Sequence, residues 1–115
     1  MAKRIPIPRY LFGGPAQLSQ ARGAITTDVT VPNISAKGCR VKGSGLAAVG
    51  EVCELAIKWQ GKEFRCEVQV RWKNRKGEAG LEFLSMDETR LVFLRELFAT
   101  LHLEPLRPLP PERAA

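Results

Sequence analysis

The chain has 115 residues, 44% of them hydrophobic, and 18 basic against 12 acidic residues give it a net charge of +6. That length suits one domain whose core closes without metal or covalent staples, and the apolar content argues against general disorder. No apolar run approaches the roughly 18 residues that a membrane span needs, so membrane insertion is not expected.

Three cysteines, an odd number, with no apolar signal segment after "MAKR", point away from a disulfide framework. They suit a reducing, cytoplasmic setting. The basic excess favours an anionic partner without saying which.

In chain order, residues 1–15 form an arm, "MAKRIPIPRYLFGGP", that carries Lys3, Arg4 and Arg9, three prolines and no acid. Rich in Pro and Gly and without periodicity, it is predicted to be extended and mobile until something holds it. Residues 16–103 hold the predicted fold, and the Pro-rich stretch 104–115 is predicted to be a polyproline-like or disordered tail.

The middle region has a period of two, the mark of strands with one buried face. In "AITTDVTV" the inward set is Ile25, Thr27, Val29 and Val31. Cys39 and Val41 follow, then Cys53, Leu55, Ile57 and Trp59, and then Phe64, Cys66, Val68, Val70 and Trp72. The last two runs are joined by Gln60 and Gly61, a two-residue hairpin signal. After "KNRKGE", Leu81 and Phe83 face inward. The expected fold is mainly β: a small antiparallel barrel of about six strands with a C-terminal α-helix packed on it.

The helix is predicted from the change of period. Ser85 and Glu88 have capping-box spacing, Leu91, Leu94, Leu97, Phe98 and Leu101 follow at helical spacing, and Pro105 closes the segment. Val92 and Phe93 widen the apolar face, which is chiefly core; pairing with a second copy, as a homodimer, is its other use.

Enzyme signals are missing. The cysteines take inward strand positions with no CxxC pair, and the single histidine, His102, is placed near the helix end, where a cation suits the dipole. There is no nucleophile elbow and no phosphate loop of the GxxxxGK type.

The stretch "VPNISAKGCRV" contains "NISAKG", which fits (D/N)xSxxG. With a basic arm upstream, a barrel around it and "VRWKNRKGEAGLEFLSMDETRLVFLRELF" after it, the chain resembles the PilZ domain family from about Arg4 to about Leu101. The resemblance implies binding of cyclic di-GMP, a second messenger with two guanines and two phosphates. Carried over by position, Asn33 meets a guanine edge, Ser35 contacts the ligand through its hydroxyl, and Gly38 lets ligand and backbone approach. Arg9 is the second arginine of the family's RxxxR arm, and Arg40 is close enough to help with a phosphate.

The arm departs from that pattern: "RIPIPR" sets Arg4 five steps from Arg9, with Ile5 where the first arginine belongs. In a polyproline-like segment five steps span about 16 Å against about 12 Å for four. The off-register arginine favours a second reading, a PilZ-like adaptor that does not bind the ligand and acts by protein contact. Asn, Ser and Gly at these offsets are also ordinary turn residues. A third reading, a barrel for single-stranded nucleic acid, is less favoured because Phe64 and Trp72 alternate inward instead of lying among the basic residues. In each receptor or adaptor reading the downstream protein partner is unidentified.

Overall fold

The computed structural model describes residues 7–20 and 25–105. Arg4 and most of the expected tail lie outside the described residues. Strands β1 (Arg9–Gln20), β2 (Ile25–Ser35), β3 (Gly38–Lys42), β4 (Val52–Trp59), β5 (Lys62–Lys73) and β6 (Glu78–Phe83) precede helix α1 (Glu88–Phe98) and the short strand β7 (His102–Leu103). Neighbours run β2, β3, β6, β5, β4, β1, and β1 also pairs with β2, so six antiparallel strands close into a barrel, as the alternation predicted. Closure leaves no long sheet edge among these six strands.

The β4–β5 hairpin shows how local sequence sets the register. Gln60 and Gly61 both take positive φ, 50° and 75°, the geometry of a type I′ turn whose twist matches the flanking strands. It places Trp59 opposite Lys62 and Leu55 opposite Cys66. Alternation then drives one face of each strand inward: Leu55, Ile57, Phe64, Cys66 and Val68 are buried, while Glu54, Lys58, Arg65 and Glu67 are exposed. Helix α1 adds Phe93, Leu94 and Leu97 to the core. Each fully buried aliphatic or aromatic side chain contributes about 1.5–3 kcal/mol relative to exposure.

Several sequence expectations are corrected by this arrangement. From Arg9 onward the expected arm is strand β1, paired with β2 from Arg9 opposite Ser35 to Gln20 opposite Ile25. A register shift between Leu11 and Gly14, with Gly13 at φ 74°, absorbs the glycine pair, and Pro15 falls outside the Gln17–Ser19 stretch that pairs with β4. A bulge, and a proline paired with β2 opposite Thr30 but not with β4, read as loop in one dimension but are compatible with a strand. Ile25, expected inward, is exposed at the strand start.

The helix is capped by Asp87, not by Ser85: the Asp87 carboxylate accepts from the Arg90 N–H at 2.9 Å. His102, expected near the helix end, lies in β7 beyond the C-cap residue Ala99.

Cys39, Cys53 and Cys66 are 8%, 4% and 1% exposed. Burial pushes all three thiols above their ordinary pKa, Cys39 furthest. A raised pKa leaves almost no thiolate near neutrality, and the thiolate is the nucleophile. Native protein at pH 7.5 is therefore expected to react with a disulfide dye at none of the three thiols over minutes, and at all three in denaturant. One fast-reacting thiol in the native state would contradict the packing of its strand.

Candidate functional site

The Asn-Ser-Gly stretch closes the turn from β2 to β3. The Ser35 hydroxyl accepts from the Lys37 N–H at 3.1 Å and donates to the Gly38 carbonyl at 3.3 Å, so much of its hydrogen-bonding capacity goes to the turn. A second acceptor lone pair remains. Gly38 has its own structural cause, because a Cβ there would run into the Leu81 carbonyl oxygen of β6. Asn33 is 3% exposed, and its amide nitrogen donates to the Glu104 carboxylate at 2.9 Å.

Cross-strand register decides what stands beside this turn. Asn33 is opposite Arg40, Arg40 opposite Gly80, and Gly80 opposite Trp72. Directly opposed residues in antiparallel strands share a face, so these four form a row across β2, β3, β6 and β5. On the other side of β2, Arg9 is opposite Ser35. The structure thus brings together Arg9, Asn33, Ser35, Gly38 and Arg40, five of the six residues expected at a site. They line one cleft of about 520 Å³. The sixth, Arg4, is outside the described residues.

Trp72 is the cleft residue that alternation misassigned. A register shift between Val70 and Trp72 interrupts the β5 alternation, and Trp72 is 42% exposed instead of inward. Its indole lies against Gly80, where any Cβ would collide with the ring. A sequence signal existed: a tryptophan ending a strand, with a glycine as its register partner in the next, leaves room for a flat ring across the sheet. That pairing becomes visible only when β5 and β6 are aligned.

The electrostatics favour an anion. Four basic residues line the cleft, Arg9, Lys37, Arg40 and Arg71, against one acidic residue, Glu82. Arg71 and Glu82 pair at 3.4 Å with both side chains about half exposed, an interaction of little net strength. Among the described residues Arg9, Lys37 and Arg40 make no ion pair. Arg40 Nε is buried and has no hydrogen-bond partner there, an arrangement that costs energy until an acceptor arrives. Guanidinium forks match phosphate oxygens and the acceptor edge of guanine, and the flat Trp72 ring offers a stacking face for a base. No group of three His, Cys, Asp or Glu side chains among the described residues is placed to hold a metal ion.

The family model for the PilZ domain matches residues 4–99, which takes in all six barrel strands and the helix, with the cleft inside it. The chain belongs to the PilZ domain family. PilZ domains are a family of cyclic di-GMP receptors. The fold is also similar to the solved PilZ domain of CeSA from a cellulose-synthesizing bacterium, with a TM-score of 0.65 over 79% of this chain and 94% of that one. At 13% identity this likeness concerns the fold alone. No curated protein matches the chain. Among the described residues of this PilZ domain, no helix is long and apolar enough to cross a membrane.

Proposed function

We propose that this PilZ domain is a non-enzymatic, cytoplasmic receptor for cyclic di-GMP that passes its signal to a partner protein in trans. The observation that carries the reading is the cleft itself. Residues of the (D/N)xSxxG stretch share it with Arg9, with the buried Nε of Arg40, which has no partner among the described residues, and with the open indole of Trp72.

In this reading the guanidinium groups of Arg9 and Arg40 take phosphate oxygens or guanine acceptors, Trp72 stacks on a base, and Asn33 meets a guanine edge. Arg9 is already fixed on β1 opposite Ser35, so it meets the ligand without the ordering cost of a free arm, roughly 1–2 kcal/mol per residue; Arg4 lies outside the described residues. Each stacked base contributes about 1–3 kcal/mol. A net affinity in the low-micromolar range, on the order of −8 kcal/mol, is the expected result. A change of surface at the arm is what a downstream protein would read, and control of motility is a fitting output.

Calorimetric titration with cyclic di-GMP tests the reading. Saturable binding is expected, weakened at least about tenfold by Arg9→Ala or Arg40→Ala, since charged hydrogen bonds are worth about 1.5–3 kcal/mol. Trp72→Ala is expected to cost about 1–3 kcal/mol of binding. Because the indole also covers Gly80, the melting temperature is measured alongside, and the binding loss is read at a temperature where the variant is folded. Full affinity in all three variants would reject the cleft as the site.

A second reading, an adaptor that has lost the ligand, is favoured by one specific observation. The Ser35 hydroxyl and Gly38 are both accounted for by the barrel itself, so their presence does not require a ligand. No saturable heat at high micromolar cyclic di-GMP would support it.

A further inference from the structure

From Ala99 to Glu104 the chain stays on the barrel. The Thr100 hydroxyl donates to the Leu97 carbonyl at 2.8 Å, and β7 then pairs with the start of β1, Leu103 opposite Tyr10 and His102 opposite Leu11. Tyr10 stacks on Phe98 at 4.3 Å, and the Glu104 N–H donates to the Arg9 carbonyl at 2.7 Å. Residue 104, expected to open a disordered tail, is thereby fixed beside the strand that carries Arg9. Its carboxylate reaches the buried Asn33 amide at 2.9 Å.

The chemistry of that contact is one-sided. A carboxylate only accepts, so the Asn33 amide must turn its NH2 toward Glu104, which sets Oδ1, its only acceptor, at the opposite end of the amide and leaves one N–H beside the bonded one. An asparagine amide has two orientations of nearly equal shape and opposite hydrogen-bonding sense, and only its neighbours choose between them. We propose that Glu104 is a positioning residue: it locks the Asn33 amide with its oxygen toward the cleft and so makes the site prefer guanine over adenine. The proposal rests on the cyclic dinucleotide reading above.

Guanine offers N1–H and N2–H donors on its pairing edge, where adenine offers an N1 acceptor and no donor at that atom. An acceptor held opposite N1 binds the N1–H of guanine and repels the N1 lone pair of adenine, whose donor on that edge is the separate N6–H2 group, and a site that leaves polar groups unpaired rejects a ligand strongly. The motif admits Asp or Asn at its first position. An aspartate presents acceptors in every orientation, whereas an asparagine needs a partner to do so. Glu104, 71 residues away in sequence, is that partner.

The test is calorimetry on the full chain with cyclic di-GMP and cyclic di-AMP, for the native protein, Glu104→Ala, Asn33→Asp and the double variant. Glu104→Ala is expected to weaken cyclic di-GMP roughly tenfold, the effect of one hydrogen bond, and to narrow the preference over cyclic di-AMP, because the freed amide can turn its donor to the base. Asn33→Asp alone sets two carboxylates face to face and also weakens binding. Adding Glu104→Ala to it relieves the repulsion and restores cyclic di-GMP binding, so the effect of Glu104→Ala changes sign between the two backgrounds. Should Glu104→Ala melt below the working temperature, Glu104→Gln keeps the size and β7 pairing. It is expected to narrow the preference in the same direction by a smaller factor.

Equal loss for both ligands in both backgrounds would mean that Glu104 only holds β7, and would overturn the positioning role while leaving the receptor reading intact. An undiminished preference for guanine in the Glu104 variants would do the same. No saturable binding of cyclic di-GMP by the native chain would overturn both.

Discussion

Gly38→Ala is expected to cost about 3 kcal/mol or more of folding stability, the upper range for forcing atoms into a packed site, and to remove ligand binding with it. The added Cβ would meet the Leu81 carbonyl oxygen, and it would sit 3.1 Å from the Leu81 carbonyl carbon and 3.2 Å from the Glu82 Cα. All of these are backbone atoms of β6. They cannot swing aside as a side chain could, because β3 pairs with β6 from Gly38 opposite Glu82 to Lys42 opposite Glu78. The Phe83 N–H donates to the Lys37 carbonyl at 2.9 Å just beside the contact, so relief would have to open that ladder. Denaturant unfolding should show a lowered midpoint with an unchanged slope. A midpoint shift worth less than about 0.5 kcal/mol, the range of unstrained surface changes, would show that β6 does not press on this position. A consequence follows for the motif. Its glycine is needed by the barrel, so a chain that keeps Gly38 has kept a fold requirement, and only Arg9, Asn33, Arg40 and Trp72 speak for a ligand.

Phe64→Ala is expected to lower stability by about 3–5 kcal/mol, a large part of the 5–15 kcal/mol typical of a whole domain. Phe64 is 2% exposed. It meets Phe83 edge-on at 5.5 Å and stacks on Phe93 of α1 at 5.3 Å, so its loss empties the junction where the helix docks on the barrel. Aromatic pairs add about 0.5–1.5 kcal/mol beyond area. The control is Val92→Ala, whose side chain is 40% exposed on the same helix and whose loss is expected to stay within about 0.5 kcal/mol. Comparable losses for the two variants would mean that the helix presents a different face to the barrel.

The sequence determined the barrel strands from β2 to β6, the hairpin at Gln60 and Gly61, the helix and the position of the Asn-Ser-Gly turn. Each of these is written within a few residues: a period of two says which side chains turn inward, and a two-residue loop with Gly61 sets a register without help from the rest of the chain. The same locality explains the errors. Arg9 to Pro15 reads as a loose arm because glycines and prolines mark both loops and bulged strands, and alternation turns Trp72 inward because it cannot foresee a bulge.

Only the tertiary structure decided that β1 closes on both β2 and β4, that register lines up Asn33, Arg40, Gly80 and Trp72 across four strands, and that Glu104 meets Asn33 from 71 residues away. The physical reason is the same in each case. Hydrophobic periodicity fixes the face of a strand but not its neighbour, and a binding cleft is made of neighbours.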